Sequence, residues 1–271
     1  MKRTDVFLTG GGLKGAYQYG FFKRLYEIYP SAPIDRVFGV SVGAINAPAV
    51  ILRRMDILDN HWQSESGSHP FDTIMNSWCS RFPHPSRYTL LGHAHQMLME
   101  RSLFRSLCHH HFEDLWRNGL SDVERNMLSS KMGAVAYDSC FGDTVLLEGF
   151  RSAETFSASF VASTNHPVLF PLRGPLLDGI FADYSVILAH IKRTARPLGT
   201  TDLLVLNLHT SDTSLGPHVN TPGTYIYTPD WTRLRGGGRL LSMCATRFDV
   251  DCMVTMGGED ADTFLEGRAQ N

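Results

Sequence analysis

A serine stands between two glycines in Gly39-Val40-Ser41-Val42-Gly43, with Val37-Phe38 before the pentad and Ala44-Ile45-Asn46-Ala47 after it. Such a run fits a strand that turns sharply into a helix, because the glycines let backbone segments approach where a side chain would collide. The turn lifts the serine oxygen clear of the chain and points the free amides of the helix start toward it. A weak nucleophile becomes usable that way. The pentad makes Ser41 a candidate nucleophile, with Gly39, Val40, Val42 and Gly43 as its elbow.

The surrounding pattern places that elbow early in an α/β fold. Val6 to Thr9 reads as a short buried strand that stops at Gly10-Gly11-Gly12. Leu13, Tyr17, Phe21, Leu25 and Ile28 then recur at helical spacing until Pro30 and Pro33; Ile34 to Phe38 predicts a second strand and Val42 to Arg54 a second helix. Strand, helix, strand, helix from the first residues implies a mostly parallel central sheet with helices on both faces, a three-layer arrangement. Pro48 falls inside the second helix and should distort it about one turn past its start.

Farther along, residues 61–87 lose all period, which predicts a long excursion; an insertion or lid is expected around residues 60–130. Helical spacing returns over Ala94 to Trp116. Met132 to Tyr137 and Thr144 to Leu147 read as strands joined tightly, and Ala153 to Ala162 as a helix. Leu176-Leu177 reads as a short strand ending in the turn Asp178-Gly179, and Leu203 to Leu208 as a late strand. Gly236-Gly237-Gly238 reads as a loop before a last helical region.

The 271 residues suit a single domain, and a formal charge of -2 with pI near 6.6 excludes a nucleic-acid partner held by bulk basic attraction. Five cysteines with no CxxC pair fit free thiols in a reducing compartment. The N-terminus runs into a strand without a signal or anchor stretch, so a cytoplasmic protein is expected, with peripheral contact at membranes or lipid droplets.

Gly10, Gly12 and Gly15 also satisfy the spacing of a dinucleotide-binding loop. In that fold an acidic residue ends the second strand, where it meets a ribose; here Asp35 begins that strand and Gly39-Val40-Ser41 ends it. A phosphate-binding P-loop is disfavoured too, because Gly15 follows Lys14 where Ser or Thr is required. Both glycine features instead lie at the carboxyl ends of adjacent early strands, so the two loops should face each other. Amides of Gly11 and Gly12 would then point at the carbonyl oxygen of whatever Ser41 attacks.

These residues resemble the patatin-like phospholipases. The family's Gly-Gly-Gly-x-Arg/Lys-Gly loop matches Gly10-Gly11-Gly12-Leu13-Lys14-Gly15, its Gly-x-Ser-x-Gly elbow matches Gly39 to Gly43, and its Asp-Gly-Gly/Ala motif is approximated by Asp178-Gly179-Ile180. Ala162 to Pro171 is similar to the stretch that leads to the family's aspartate. The resemblance covers roughly residues 5–55 and 150–210. It implies a lipid acyl hydrolase for phospholipids or lysophospholipids, with Ser41 as nucleophile and Asp178 as base, without histidine. It also implies an oxyanion hole in the loop of Gly10, Gly11, Gly12, Lys14 and Gly15, and no metal or other cofactor. The chain departs from the family at Ile180 and over Phe181 to Ser185.

A Ser-His-Asp esterase of ordinary α/β-hydrolase type is the rival, with His166, His190 or His209 as base. A lipid-binding protein with a weakened site is a second one. His93, His95 and the run Cys108-His109-His110-His111 read as surface residues rather than metal ligands, since neighbours on a helix face different ways. Met97, Leu98, Met99, Leu103 and Phe104 read as core, with lipid contact as the alternative.

Overall fold

The computed structural model describes residues 2–62, 109–166, 174–198, 202–209, 215, 222–234 and 247–269. Strand β1 (Thr4–Leu8) leads through a 3-10 turn (Gly12–Lys14) into helix α1 (Gly15–Ile28). Strand β2 (Ile34–Val40) leads into α2 (Val42–Leu52), which is followed by α3 (Asp56–Trp62). Residues 109–114 are helical and run into a π-helical turn, Leu115–Gly119. Then come α4 (Asp122–Lys131), β3 (Met132–Asp138), β4 (Asp143–Leu147), α5 (Ala153–Ser163) and β5 (Leu176–Asp178). The last elements are α6 (Tyr184–Leu198), β6 (Asp202–Leu206), β7 (Thr224–Tyr227) and α7 (Arg247–Ala269).

The strands form one sheet in the order β4-β3-β2-β1-β6-β7, with β5 also paired to β3. Pairs β1–β2, β1–β6, β2–β3 and β6–β7 are parallel, while β4 and β5 run antiparallel to β3. Successive strand residues point to opposite faces, so a strand covered on both sides must be apolar throughout. In β1, Val6 and Leu8 join the core shared with α1, α2, α5 and α7, whereas Phe7 joins the core under α6. In β6, Leu204 and Leu206 face the first side, Leu203 and Val205 the second. Helices thus cover both faces of a mostly parallel sheet, the three-layer arrangement expected.

Several boundaries differ from the sequence reading, each for a local reason. Helix α2 ends at Leu52 because Arg53 takes a left-handed conformation (φ 57°) and terminates it. It runs on past Pro48 through Ala49–Leu52 without a break. Helices α3, α4 and α6 and strand β7 have no counterpart among the elements expected from the sequence. Residues 63–108, which hold most of the expected excursion, and Gly236 to Gly238 lie outside the described residues. Phe112, Trp116, Leu120 and Leu128, at the far end of that excursion, belong to the main core.

Helices α1 and α7 touch through glycines. A Cβ on Gly20 would lie 2.1 Å from the Val254 carbonyl oxygen, and one on Gly257 2.1 Å from that of Tyr17. One residue on, a Cβ on Gly258 would meet only the stem of Arg24, at 3.8 Å. Gly257→Ala is therefore expected to destabilise by about 2 kcal/mol or more, because backbone must move. Gly258→Ala should stabilise by up to about 1 kcal/mol through helix propensity. Urea unfolding of the two variants checks this pair; equal shifts in midpoint would refute the close helix contact.

Candidate active site

The elbow is strained in the way its sequence predicts. Ser41 has φ 53° and ψ −119°, a conformation rare for a residue with a side chain, and sits between the end of β2 and the start of α2. Its carbonyl accepts the amides of Ala44 and Ile45, at 3.0 and 3.2 Å, which anchors the helix start. Its own amide donates to Ser163 Oγ at 2.9 Å, and that hydroxyl donates to the Val135 carbonyl at 2.6 Å. The last residue of α5 therefore pins the elbow to β3.

The glycine loop lies directly against this elbow. A Cβ on Gly10 would fall 3.1 Å from Ser41 Cβ, so the loop after β1 and the turn after β2 face each other, as expected from their parallel strands. The end of β6 holds the loop from the other side. Thr9 Oγ1 and amide both donate to the Leu206 carbonyl, and the Leu208 amide donates back to Thr9 Oγ1 at 2.7 Å. A buried polar network fixes it from below: Gln18 Nε2 donates to the Thr9 carbonyl, Asn46 Nδ2 to the Gly15 carbonyl and Gln18 Oε1, and Trp62 Nε1 to Asn46 Oδ1. Among the described residues no hydrogen bond takes up the amides of Gly11 or Gly12, so both remain available as donors.

Lys14 differs from Gly11 and Gly12. Its ammonium lies 3.4 Å from the Leu208 carbonyl oxygen and 4.5 Å from the Trp231 ring centre, and burial lowers its pKa. The side chain thus braces the loop against the end of β6, and these contacts do not direct it at Ser41.

Asp178 arrives through an unusual strand pairing. Parallel β2 accompanies β3 only as far as Val40 opposite Val135, then turns away at Ser41. Antiparallel β5 takes over the vacated side of β3 with Asp178 opposite Ala136. The serine and the carboxylate therefore meet where one partner of β3 replaces another. Ser41 Oγ donates to Asp178 Oδ2 at 2.8 Å, and the Ile180 amide donates to Oδ1 at 2.9 Å. Ile180 replaces a small residue of the motif, but its contribution here is a backbone amide, which any residue but proline supplies. Asn165 holds the strand in place, accepting the Asp178 amide on its carbonyl and donating Nδ2 to the Leu176 carbonyl. Asp178 is 3% exposed, and burial pushes its pKa up to about 7 against the opposing pull of the Ile180 amide and the Ser41 hydroxyl.

With an elbow, a glycine loop and a carboxylate in one place, the comparison with known proteins has a physical basis. A family model described as patatin-like phospholipase matches residues 6–184. The chain belongs to that family. The matched patatin segment ends at Tyr184, so strand β6, which holds the glycine loop, lies beyond it. Among solved structures, VipD from Legionella pneumophila is 11% identical with a TM-score of 0.41, the match covering 96% of this chain and 67% of that one. ExoU in its complex with SpcU from Pseudomonas aeruginosa is 14% identical with a TM-score of 0.42, covering 100% and 52%. This chain thus spans about half to two thirds of the lengths of those proteins. No curated protein matches it.

Ser41 Oγ donates to Asp178 and not to a histidine of the rival triad. His209 Nε2 is 3.3 Å from the Tyr184 hydroxyl, His166 packs against the ring of Phe181, and His190 lies near Arg193 on α6. Burial, then the charge of Lys14, lowers the pKa of His209. No cluster of metal-ligating side chains occurs among the described residues; His93 and His95 lie outside them. Sequence reasoning missed Gln18, Asn46, Ser163 and Tyr184. Tyr184 occupies the departure after Asp178, packs edge-on against Phe7, and has the Gly10 amide at its hydroxyl; burial and the Asp178 carboxylate push its pKa far up.

Proposed function

We propose that this chain hydrolyses fatty-acyl esters of phospholipids or lysophospholipids through an acyl-enzyme on Ser41. The single observation that supports this most is the 2.8 Å hydrogen bond from Ser41 Oγ to the buried Asp178 carboxylate, at a strained elbow packed against the glycine loop. Asp178 Oδ2 takes the hydroxyl proton as Oγ attacks the ester carbonyl carbon. The oxygen of that carbonyl becomes an anion held by the Gly11 and Gly12 amides, each such donor typically worth about 2.7–4 kcal/mol of barrier. Collapse expels the lipid alcohol, which leaves with the proton from Asp178. Water then attacks the acyl-serine, gives its proton to Asp178 and releases the fatty acid, and the proton returns to Oγ.

On this reading the chain is one catalytic domain that meets its substrate at a lipid surface. No helix among the described residues is long and apolar enough to span a membrane. A fluorophosphonate probe should label the wild type at Ser41 and leave Ser41→Ala unlabelled, and lipid extracts incubated with wild type alone should gain free fatty acid. An unlabelled wild type would identify a lipid-binding protein with a silent site; equal labelling of Ser41→Ala would place the nucleophile elsewhere.

A further inference from the structure

The turn between β3 and β4 carries a fully presented phenylalanine at the same end of the sheet as Ser41. Phe141 is 81% exposed, yet its turn is firmly built. Asp138 Oδ1 accepts the amides of Cys140 and Phe141, the Gly142 amide donates to the Asp138 carbonyl, and Ser139 donates from both amide and hydroxyl to the Pro175 carbonyl. Exposed apolar residues scattered singly need no explanation. This one has neighbours. The Asp183 amide donates to Thr144 Oγ1 at 3.0 Å, which brings the segment of Phe181 (45% exposed) and Val186 (51%) alongside the turn.

The cluster is continuous with the candidate site. Phe181 packs on His166, next to Asn165, whose carbonyl holds the Asp178 amide. Asp178 lies opposite Ala136 and β3 runs on past it through Asp138 into the turn, so the tip of Phe141 stands roughly 10 Å beyond the catalytic level at the rise of an extended strand. Charge narrows the choice of partner. Asp138 and Asp143 pair across the base of the turn and Asp183 stands beside Thr144, while residues 132–150 and 174–191 contain no lysine or arginine, the nearest in sequence being Arg151, Arg173 and Lys192. An anionic lipid surface gains nothing from such a rim and is repelled by it.

We propose that Phe141, with Phe181 and Val186 beside it, docks the protein on a neutral or zwitterionic lipid–water interface and turns the Ser41 site toward the lipids. The proposal rests on reading that site as a lipid esterase, and its test separates the two. Protein carrying Ser41→Ala, which reads binding without turnover, is floated with phosphatidylcholine vesicles, with and without Phe141→Ser. The parent should float, Phe141→Ser should weaken partitioning about tenfold, as for loss of one buried phenylalanine ring, and phosphatidylserine should not strengthen it. In the Ser41 background, Phe141→Ser should hydrolyse a short water-soluble ester at the wild-type rate and lose activity on vesicles, with an unchanged melting temperature. A parent that does not float, unchanged flotation of Phe141→Ser, or binding driven by phosphatidylserine would overturn docking at this surface. So would a change from dimer to monomer in Phe141→Ser with flotation intact, which would assign the tip to a second copy. Flotation lost on Phe141→Ser in a chain that hydrolyses no ester would uphold the docking surface and refute the esterase reading.

Discussion

Asp178→Asn is expected to lower turnover of a lipid ester by about 10³–10⁴-fold, comparable to Ser41→Ala, while leaving the protein folded. Asparagine keeps the shape of the side chain, can accept the Ile180 amide and can donate to Ser41 Oγ, but it cannot take the serine proton. Two pH dependences belong to the same side chain. Because burial holds the pKa of Asp178 near 7, the base form accumulates only as pH rises through that value, and turnover should rise with it. Stability should move the other way. A carboxyl whose folded pKa lies above its unfolded one stabilises the fold in its protonated form, and that contribution is lost as pH rises through about 7. Asp178→Asn should therefore gain stability over wild type between pH 4 and pH 8, by at most about 4 kcal/mol. Urea unfolding at the two pH values, beside a pH–rate profile of the wild type, checks both. A profile flat from pH 5 to 8, or a variant with near-wild-type turnover, would sink Asp178 as the base.

How much of this could be read in the chain depended on sequence distance. The first strand, the glycine loop, the second strand and the elbow occupy one short stretch, so glycine spacing and apolar period place them and predict that the two loops face each other, as the closeness of Gly10 to Ser41 bears out. Ser41 and Asp178 are 137 residues apart, and only the family resemblance linked them. Their contact depends on β5 replacing β2 alongside β3, a pairing with no local signature: a three-residue strand leaves almost no period to read. Ser163 could not be found for a similar reason, since its hydroxyl bridges Ser41 and Val135 only once three elements have packed. Other features had a readable signal. Ser121 and Glu124 form a capping box that marks the start of α4, and Ile187, Leu188 and Ile191 trace the buried stripe of α6. The segment after Asp178 departs from the family motif in its side chains, but the Ile180 amide still reaches the carboxylate.

Gly43→Ala is expected to cost about 3 kcal/mol or more and to abolish most activity in whatever fraction still folds. A Cβ there would lie 2.3 Å from the Leu8 carbonyl oxygen and 2.8 Å from its carbonyl carbon. The obstacle is backbone in the middle of the sheet: Leu8 pairs with Gly39 of β2 on one side and Leu206 of β6 on the other, so β1 cannot step aside without breaking two ladders. Helix α2 must move instead. Its first turn is hydrogen-bonded to the Ser41 carbonyl, so the shift is transmitted to the nucleophile and opens the 2.8 Å contact with Asp178. A displacement near 1 Å at reacting atoms costs on the order of 10²-fold in rate. For a chain of this size the stability loss should lower the melting temperature by roughly 6–12 °C. Thermal unfolding followed by circular dichroism, with fluorophosphonate labelling of the folded fraction, tests both effects. A melting temperature and labelling rate equal to wild type would show that α2 does not press on β1 as closely as a glycine at position 43 allows, and the strained elbow would need another cause.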